Sequence, residues 1–383
     1  MNFDLDGRQE QLKKELRSLT EEEAGSRHPV KDFSPEALNR VYRDLLTKLR
    51  SGGYLELGTA AATADGPPFV DYGTVVLAGE ELARMAPAVY FGLETSLRLA
   101  GGVLARYGSE PQKARYLAPL LRGELLGTVA LREDLGNFPA AGITTRAEKN
   151  DGGYLLTGLK KGVVIGCLAD FLVVPALTGE RWGLFLIQSG SEGLTLSQTG
   201  KSLGYEQAIL SELRLSACPV REEEVLGFFD PVEVMAELRT RENMAVAVSS
   251  LGVMHRAICN AKDYAGRARE GCKPLLAQQE VRYRLADMFT LLQTSQFLAY
   301  RAAWMLEADV PEAVLVADSA KVFITEAAEE VTRGAMQITG LDGYLGEAGI
   351  EALFREARFG PVAGETSEIL RLRIADECLK KFV

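Results

Sequence analysis

The apolar residues of this chain change their spacing twice, and that limits its fold more than any other feature. Up to about residue 130 they recur at helical intervals, with no strand-like alternation. From about Leu126 short β-rich runs take over, separated by turn residues; beyond Pro231 helical spacing returns and holds to the end. A helix buries a stripe and a strand buries alternate residues, so one segment cannot satisfy both periods. The expected fold is therefore an α+β multidomain chain. It has an N-terminal helical domain (1–125), a middle β-barrel-like domain (126–230) and a C-terminal four-helix bundle (231–383). At 383 residues the chain is long enough for two or three cores.

Local signals fill in this outline. Ser34-Pro35 predicts the start of a helix over Glu36 to Leu49, with Leu38, Val41, Leu45 and Leu49 on one side and Ser51-Gly52-Gly53 ending it. Further helices are expected over Val75 to Met85, Ser96 to Ala105 and Gln112 to Leu121. Asn150-Asp151-Gly152-Gly153 before Tyr154-Leu155-Leu156 predicts a hairpin. In the last third, Glu242 to Arg267 carries a small-residue face (Ala245, Ala247, Ser249, Ser250, Gly252) suited to close packing. Val281 to Leu306 is expected to turn Leu285, Phe289, Leu292, Gln296, Ala299 and Ala303 inward. Val316 to Val331 does the same with Ala317, Ala320, Phe323, Ala327 and Val331, and a fourth helix runs from Glu368 towards Cys378.

Composition narrows the function. A net charge of −10 argues against a sequence-independent grip on nucleic acid, and means that an anionic substrate needs locally placed basic residues. The five cysteines are widely spaced without a CxxC pair, and there are two histidines, so neither a disulfide framework nor a structural metal site is expected. The charged start MNFDLDGRQEQLKKEL has no apolar signal core, and no run is long enough to span a membrane. A cytoplasmic protein is the expectation.

Three stretches go further. "YGSEPQKARYLAPLLRGELLG" (Tyr107 to Gly127), "NDGGYLLTGLKKGV" and "GETSEILRLRIADECL" resemble, in this order, three segments of the acyl-CoA dehydrogenases. "QQEVRYRLADM", "MQITGLDGYLGE" and "CPVREEEVLG" are weaker matches, and together they cover essentially the whole chain. The first two stretches set a helix turn and a hairpin, and a homologue that had lost its chemistry would keep them. The resemblance implies FAD between the β-domain and the bundle, and an acyl-CoA or other acyl thioester against it. A carboxylate would remove the α-proton as hydride leaves the β-carbon. It also implies a homotetramer or heteromeric complex, with an electron-transfer flavoprotein as a possible partner.

The residues that the resemblance singles out depart from the family pattern in part. The family's usual base position, the first Glu of Tyr-Glu-Gly-Thr-Ser-Glu, holds Gly364 here, and Glu365 stands one place later, which makes it the weaker candidate base. A second family solution places a Glu on the first bundle helix; "RENMAVAV" puts Glu242 near that position, beside Asn243. Glu242 is the leading candidate base, and the plain alternative is an acidic residue favoured near a helix N-terminus. On the flavin side, Glu133 survives from the family's Thr-Glu-Pro-Gly-Ala-Gly-Ser-Asp turn, while Phe138 and Pro139 replace its Ser-Asp. Gly162 replaces the tryptophan that packs on the flavin, and Val164 replaces a hydrogen-bonding threonine. Thr366 and Glu368 remain in the C-terminal motif. Arg267 or Arg269 would reach the FAD diphosphate from a neighbouring subunit, as would Gln337 and Gly340. Phe138, Asn243 and Gly364 are the candidates on the substrate side. Two readings stay open: a flavoenzyme that forms an α,β-double bond in an acyl thioester, and a non-catalytic homologue that binds an acyl thioester or acyl carrier.

Overall fold

Side-chain caps set where the N-terminal helices begin. The computed structural model describes residues 5–26, 32–59, 71–133, 143–345 and 349–382. After α1 (Gly7–Ser26) comes α2 (Pro35–Leu49), where the Ser34 hydroxyl accepts from the Ala37 N–H at 3.3 Å and Pro35 takes the first turn. Helix α2 buries Leu38, Tyr42, Leu45, Leu46 and Leu49. Asp71 caps α3 (Tyr72–Met85) by accepting from Thr74 N at 2.8 Å. The next helical run consists of α4 (Pro87–Glu94), a wide π-helical stretch (Thr95–Ala100) and α5 (Gly101–Tyr107). It is buried on every side from 86 to 105, as a central core helix must be. Two short helices, α6 (Glu110–Gln112) and α7 (Ala118–Leu121), flank a second π-helical stretch (Lys113–Leu117) before the sheet.

Eight strands form one mixed sheet: β1 (Gly127–Val129), β2 (Arg146–Asn150), β3 (Gly153–Val163), β4 (Phe171–Thr178), β5 (Arg181–Gln188), β6 (Leu194–Gln198), β7 (Ser211–Arg221) and β8 (Val225–Phe229). Their order is β6-β7-β3-β2-β4-β5-β8, and β1 and β2 both run parallel to β4. Asn150 pairs with Gly153, so the Asp151-Gly152 turn closes the predicted hairpin.

The loop after β1 is fastened to this sheet by Glu133. One carboxylate oxygen accepts from Lys160 Nζ at 2.8 Å and Thr145 N at 2.9 Å, and the other accepts from Thr144. Burial pushes the Glu133 carboxyl up, but Lys160 and the threonine donors outweigh it and hold it at about 2. On Lys160, fully buried, burial wins over the attraction of Glu133 and pulls the amine down to about 8.

The bundle begins with α8 (Pro231–Arg267), capped by Asp230, about three turns earlier than a helix starting at Glu242 would. Its small-residue face is buried as expected, and Gly252 shows why: a Cβ there would lie 2.3 Å from the Ala83 backbone, so α3 and α8 touch through the missing side chain. A tight hairpin of β9 (Arg269–Glu270) and β10 (Lys273–Pro274) leads to α9 (Gln279–Glu307). Here one expected core residue is displaced. Phe289 is 55% exposed and Met288 takes the inward place, because the buried stripe runs Met288, Leu292, Ser295, Ala299, Ala302. Helix α10 (Ala313–Tyr344) breaks its helical geometry at Gly340 (φ 57°) and is followed by α11 (Ile350–Ala357), α12 (Phe359–Val362) and α13 (Ser367–Phe382). Among the described residues no helix is long and apolar enough to cross a membrane.

The Glu133–Lys160 pair yields a prediction with a definite sign. Removing one partner of a buried pair leaves the other charge uncompensated, so Glu133→Gln should cost about 3–5 kcal/mol in urea unfolding at neutral pH. A carboxyl held below its unfolded value contributes stability above about pH 4.5 and loses it as pH falls towards 2. The gap between the unmodified protein and Glu133→Gln should therefore close across that interval; a gap that does not change with pH contradicts the assignment.

Candidate active site

Glu242 lies about three turns into α8, beyond the reach of the helix N-terminus, so a dipole or capping role does not account for its position. It is 5% exposed. Its Oε2 accepts from Arg132 Nη2 at 2.6 Å, and the same nitrogen donates to the Gly364 carbonyl at 2.9 Å. Arg132 is in turn tied to β3, since its carbonyl accepts from Lys161 N at 2.8 Å. One arginine thus joins the end of the sheet, through its backbone, to the first bundle helix and the C-terminal turn, through its guanidinium. Lys321 on α10 completes the group. Burial drives its amine down to about 8, against the pull of Glu242 and Glu365, and Nζ donates to the Glu365 carbonyl at 2.8 Å.

Glu365 is also 5% exposed, but its carboxylate is anchored. Arg373 on α13 donates to both oxygens (3.1 and 2.6 Å), Asn243 Nδ2 donates at 3.3 Å, and Arg239 stands 3.6 Å away. Arg373 is shared with the buried Asp318, whose carboxyl burial raises despite that contact. Asn243 closes the turn from the other side, its Oδ1 accepting from Glu365 N at 3.1 Å. This arrangement explains the glycine at 364. Its φ is +64°, and a Cβ would come 2.4 Å from Asn243 Oδ1, so neither the backbone nor the space admits a glutamate there.

The candidates on the flavin side are spread more widely. Glu133 has its carboxylate committed to Thr144, Thr145 and Lys160. Gly162 has a left-handed φ of +62° where the β3–β7 register shifts, so a glycine meets a backbone need there as well as leaving room. Val164 is buried, and its carbonyl accepts from Thr128 Oγ1 at 2.7 Å. Thr366 lies just before α13, its hydroxyl accepting from Ile369 N at 3.5 Å, and Glu368 is exposed in the first turn. Arg267 and Arg269 lie at the far end of α8, roughly 35–40 Å along the helix from Glu242, so within one subunit they cannot reach it. Gln337 and Gly340 are exposed on the outer end of α10. Phe138 lies outside the described residues.

Comparison with known proteins identifies the family and the fold. Residues 6–124 match the profile of the acyl-CoA dehydrogenase N-terminal domain, and residues 232–379 match that of its C-terminal domain. Mitochondrial isovaleryl-CoA dehydrogenase of Arabidopsis thaliana is 30% identical over 317 residues, or 80% of this chain and 76% of that one. The chain belongs to the acyl-CoA dehydrogenase family. An acyl-CoA dehydrogenase of Bacillus subtilis is 28% identical over 93% of this chain and 98% of its own. Butyryl-CoA dehydrogenase of Megasphaera elsdenii superposes with a TM-score of 0.85 at 26% identity, covering 99% of this chain and 100% of that one. The helical, sheet and helical regions of the acyl-CoA dehydrogenase fold are all present.

Sequence reasoning missed Arg132, Arg239, Lys321 and Arg373, the cations that hold the two glutamates. It also passed over Ser367, whose hydroxyl is buried at the head of α13 without a hydrogen-bond partner among the described residues. Only Ser367 carried a local signal, its place in the C-terminal motif. If Glu365 is an anchor, Glu365→Ala should lower stability by about 3–5 kcal/mol in urea unfolding, because Arg239 and Arg373 lose a buried counter-charge. A loss under 1 kcal/mol would contradict an anchoring role.

Proposed function

We propose that this chain is an FAD-dependent, acyl-CoA dehydrogenase-like oxidoreductase that forms an α,β-double bond in an acyl thioester, with Glu242 as the base. The observation that carries this reading is the division of labour between two buried carboxylates. Glu365 is fastened by Arg373, Asn243 and Arg239, whereas Glu242 takes its hydrogen bond from Arg132, at the meeting point of sheet and bundle. The Ser367 hydroxyl, unpartnered among the described residues, and the backbone of Gly162 to Val164 suit the polar ring of a flavin. When bound, FAD supplies the hydride acceptor. Glu242 takes the α-proton, and the electrons of that C–H bond form the double bond as hydride leaves the β-carbon. Before it can reach carbon, the Glu242 carboxylate has to exchange its bond to Arg132, so substrate entry and release of the ion pair are one event.

Arg267, Arg269, Gln337 and Gly340 are then contacts to the FAD of a neighbouring subunit, which calls for a homotetramer or a heteromeric complex. Exposed Tyr283, Phe289, Phe297 and Trp304 on α9 and Leu372 and Leu379 on α13 give the apolar surface for such packing. An electron-transfer flavoprotein is the acceptor in this reading, and the location is cytoplasmic, within fatty acid metabolism. Two observations favour the second reading, a homologue without chemistry: Val164 has no side-chain donor for a flavin, and Glu242 is charge-paired.

A single preparation separates the two. The dehydrogenase should sediment as an oligomer and keep a yellow chromophore whose visible bands bleach on adding acyl-CoA thioesters. Glu242→Gln should slow bleaching by about 10²–10⁴-fold. A colourless monomer that ignores added FAD would establish the non-catalytic reading instead.

A further inference from the structure

One turn along α8 from Glu242, Met244, Ala245 and Val248 form one wall of a narrow cavity of about 30 Å³. The opposite wall comes from the central helical run and contains Tyr90, Glu94 and Arg98. A cavity of this size admits one or two water-sized groups, so a long acyl chain does not fit without rearrangement.

Its chemistry is unusual for a core. Glu94 and Arg98 are each 3% exposed, in a run otherwise rich in apolar residues. Arg98 Nη2 donates to the Tyr54 carbonyl at 2.8 Å and Nη1 to the Leu55 carbonyl at 3.5 Å, while its guanidinium lies 4.5 Å from the centre of the Tyr54 ring. Tyr54 also donates its hydroxyl to Glu94 Oε1 at 2.6 Å. That leaves Arg98 Nε. It stands 3.7 Å from Glu94 Oε1, too far for a hydrogen bond, and it is buried without a partner among the described residues. An unsatisfied charged donor in a core is costly, and an apolar pair of similar volume would pack at least as well. Arg98 also lies in the π-helical stretch Thr95–Ala100, a local widening that is frequent at functional sites.

We infer that this cavity receives the far end of a short acyl chain bearing a hydroxyl group beyond the β-carbon, which accepts from Arg98 Nε and donates to Glu94. The inference rests on the acyl-thioester reading above and makes Arg98 and Glu94 its specificity-determining pair. A hydroxyl fits because it offers an acceptor to Arg98 Nε and a donor to the Glu94 carboxylate. An alkyl end would leave Nε unpaired. A carboxylate end has no proton to donate to Glu94, and because the two arginines of the lining, Arg98 and Arg241, are already matched by Glu94 and Glu237, it would add an uncompensated charge.

The test measures binding apart from chemistry, by equilibrium dialysis of acyl-CoA thioesters against the Glu242→Gln protein. The panel is butyryl-, pentanoyl- and dodecanoyl-CoA, 4-hydroxybutyryl- and 5-hydroxypentanoyl-CoA, and succinyl- and glutaryl-CoA. A hydroxyacyl thioester should bind on the order of 10- to 100-fold tighter than its unsubstituted counterpart, the range expected for a hydrogen bond to a charged group. Arg98→Gln should abolish that preference. Since this change could impair folding, Glu94→Gln, which keeps the shape, is the second variant and should reduce the preference several-fold. Equal or tighter binding of unsubstituted chains would mean that the cavity holds a structural water only, and would overturn the inference. So would tightest binding of succinyl- or glutaryl-CoA. If no thioester binds at all, the acyl-thioester reading itself fails, an outcome distinct from a lost preference.

Discussion

The hydrogen bonds from Asn243 and Arg373 to the Glu365 carboxylate fix the turn on which the rest of the site depends. They connect α8, α13 and the segment between α12 and α13, and Lys321 adds α10 through the Glu365 carbonyl. Because Asn243 grips both the backbone N–H and the side chain of Glu365, the turn has a single seating, with residue 364 in left-handed geometry against the amide oxygen. The Gly364 carbonyl then points at Arg132, and Arg132 at Glu242. The position of Glu242 relative to the sheet is therefore set through the anchored turn at Glu365.

Two buried carboxylates close in space tend to differentiate. Each costs several kcal/mol to remove from water, and that cost is recovered only where cations and donors meet it. Glu365 has two arginines and an amide; Glu242 shares one arginine with a carbonyl. Lys321, brought down to about 8 by burial, stands between the fields of both. In the proposed reading Glu365, tied by Arg373 on both oxygens, keeps its place, and Glu242 changes its contacts when a ligand arrives. The Glu94–Arg98 pair on the central helical run also lines a cavity, with Arg98 Nε left unpaired among the described residues.

Much of the scaffold was legible because its signals are local. Ser34-Pro35 and Asp151-Gly152 act within a few residues, and both behave as their chemistry requires. Asp230-Pro231 is an equally good start signal, and it moves the beginning of α8 three turns ahead of Glu242, which removes the capping explanation for that residue. Phe289 was misplaced because adjacent apolar residues on a helix compete for one inward position, and Met288 occupies it. The site was legible only as two glutamates, Asn243 and a glycine. The cations that separate their roles lie at 132, 239, 321 and 373, and no periodicity relates positions so far apart in sequence.

The central claim is that Glu242, and not Glu365, exchanges a proton with the carbon next to the thioester. It is tested most directly by incubating the protein with a short acyl-CoA in heavy water and measuring deuterium at the α-carbon by mass spectrometry, with no electron acceptor needed. The unmodified protein should incorporate deuterium, Glu242→Gln should lose at least about 10²-fold of that rate, and folded Glu365→Gln should retain it. Exchange that survives in Glu242→Gln and disappears in folded Glu365→Gln would contradict the account.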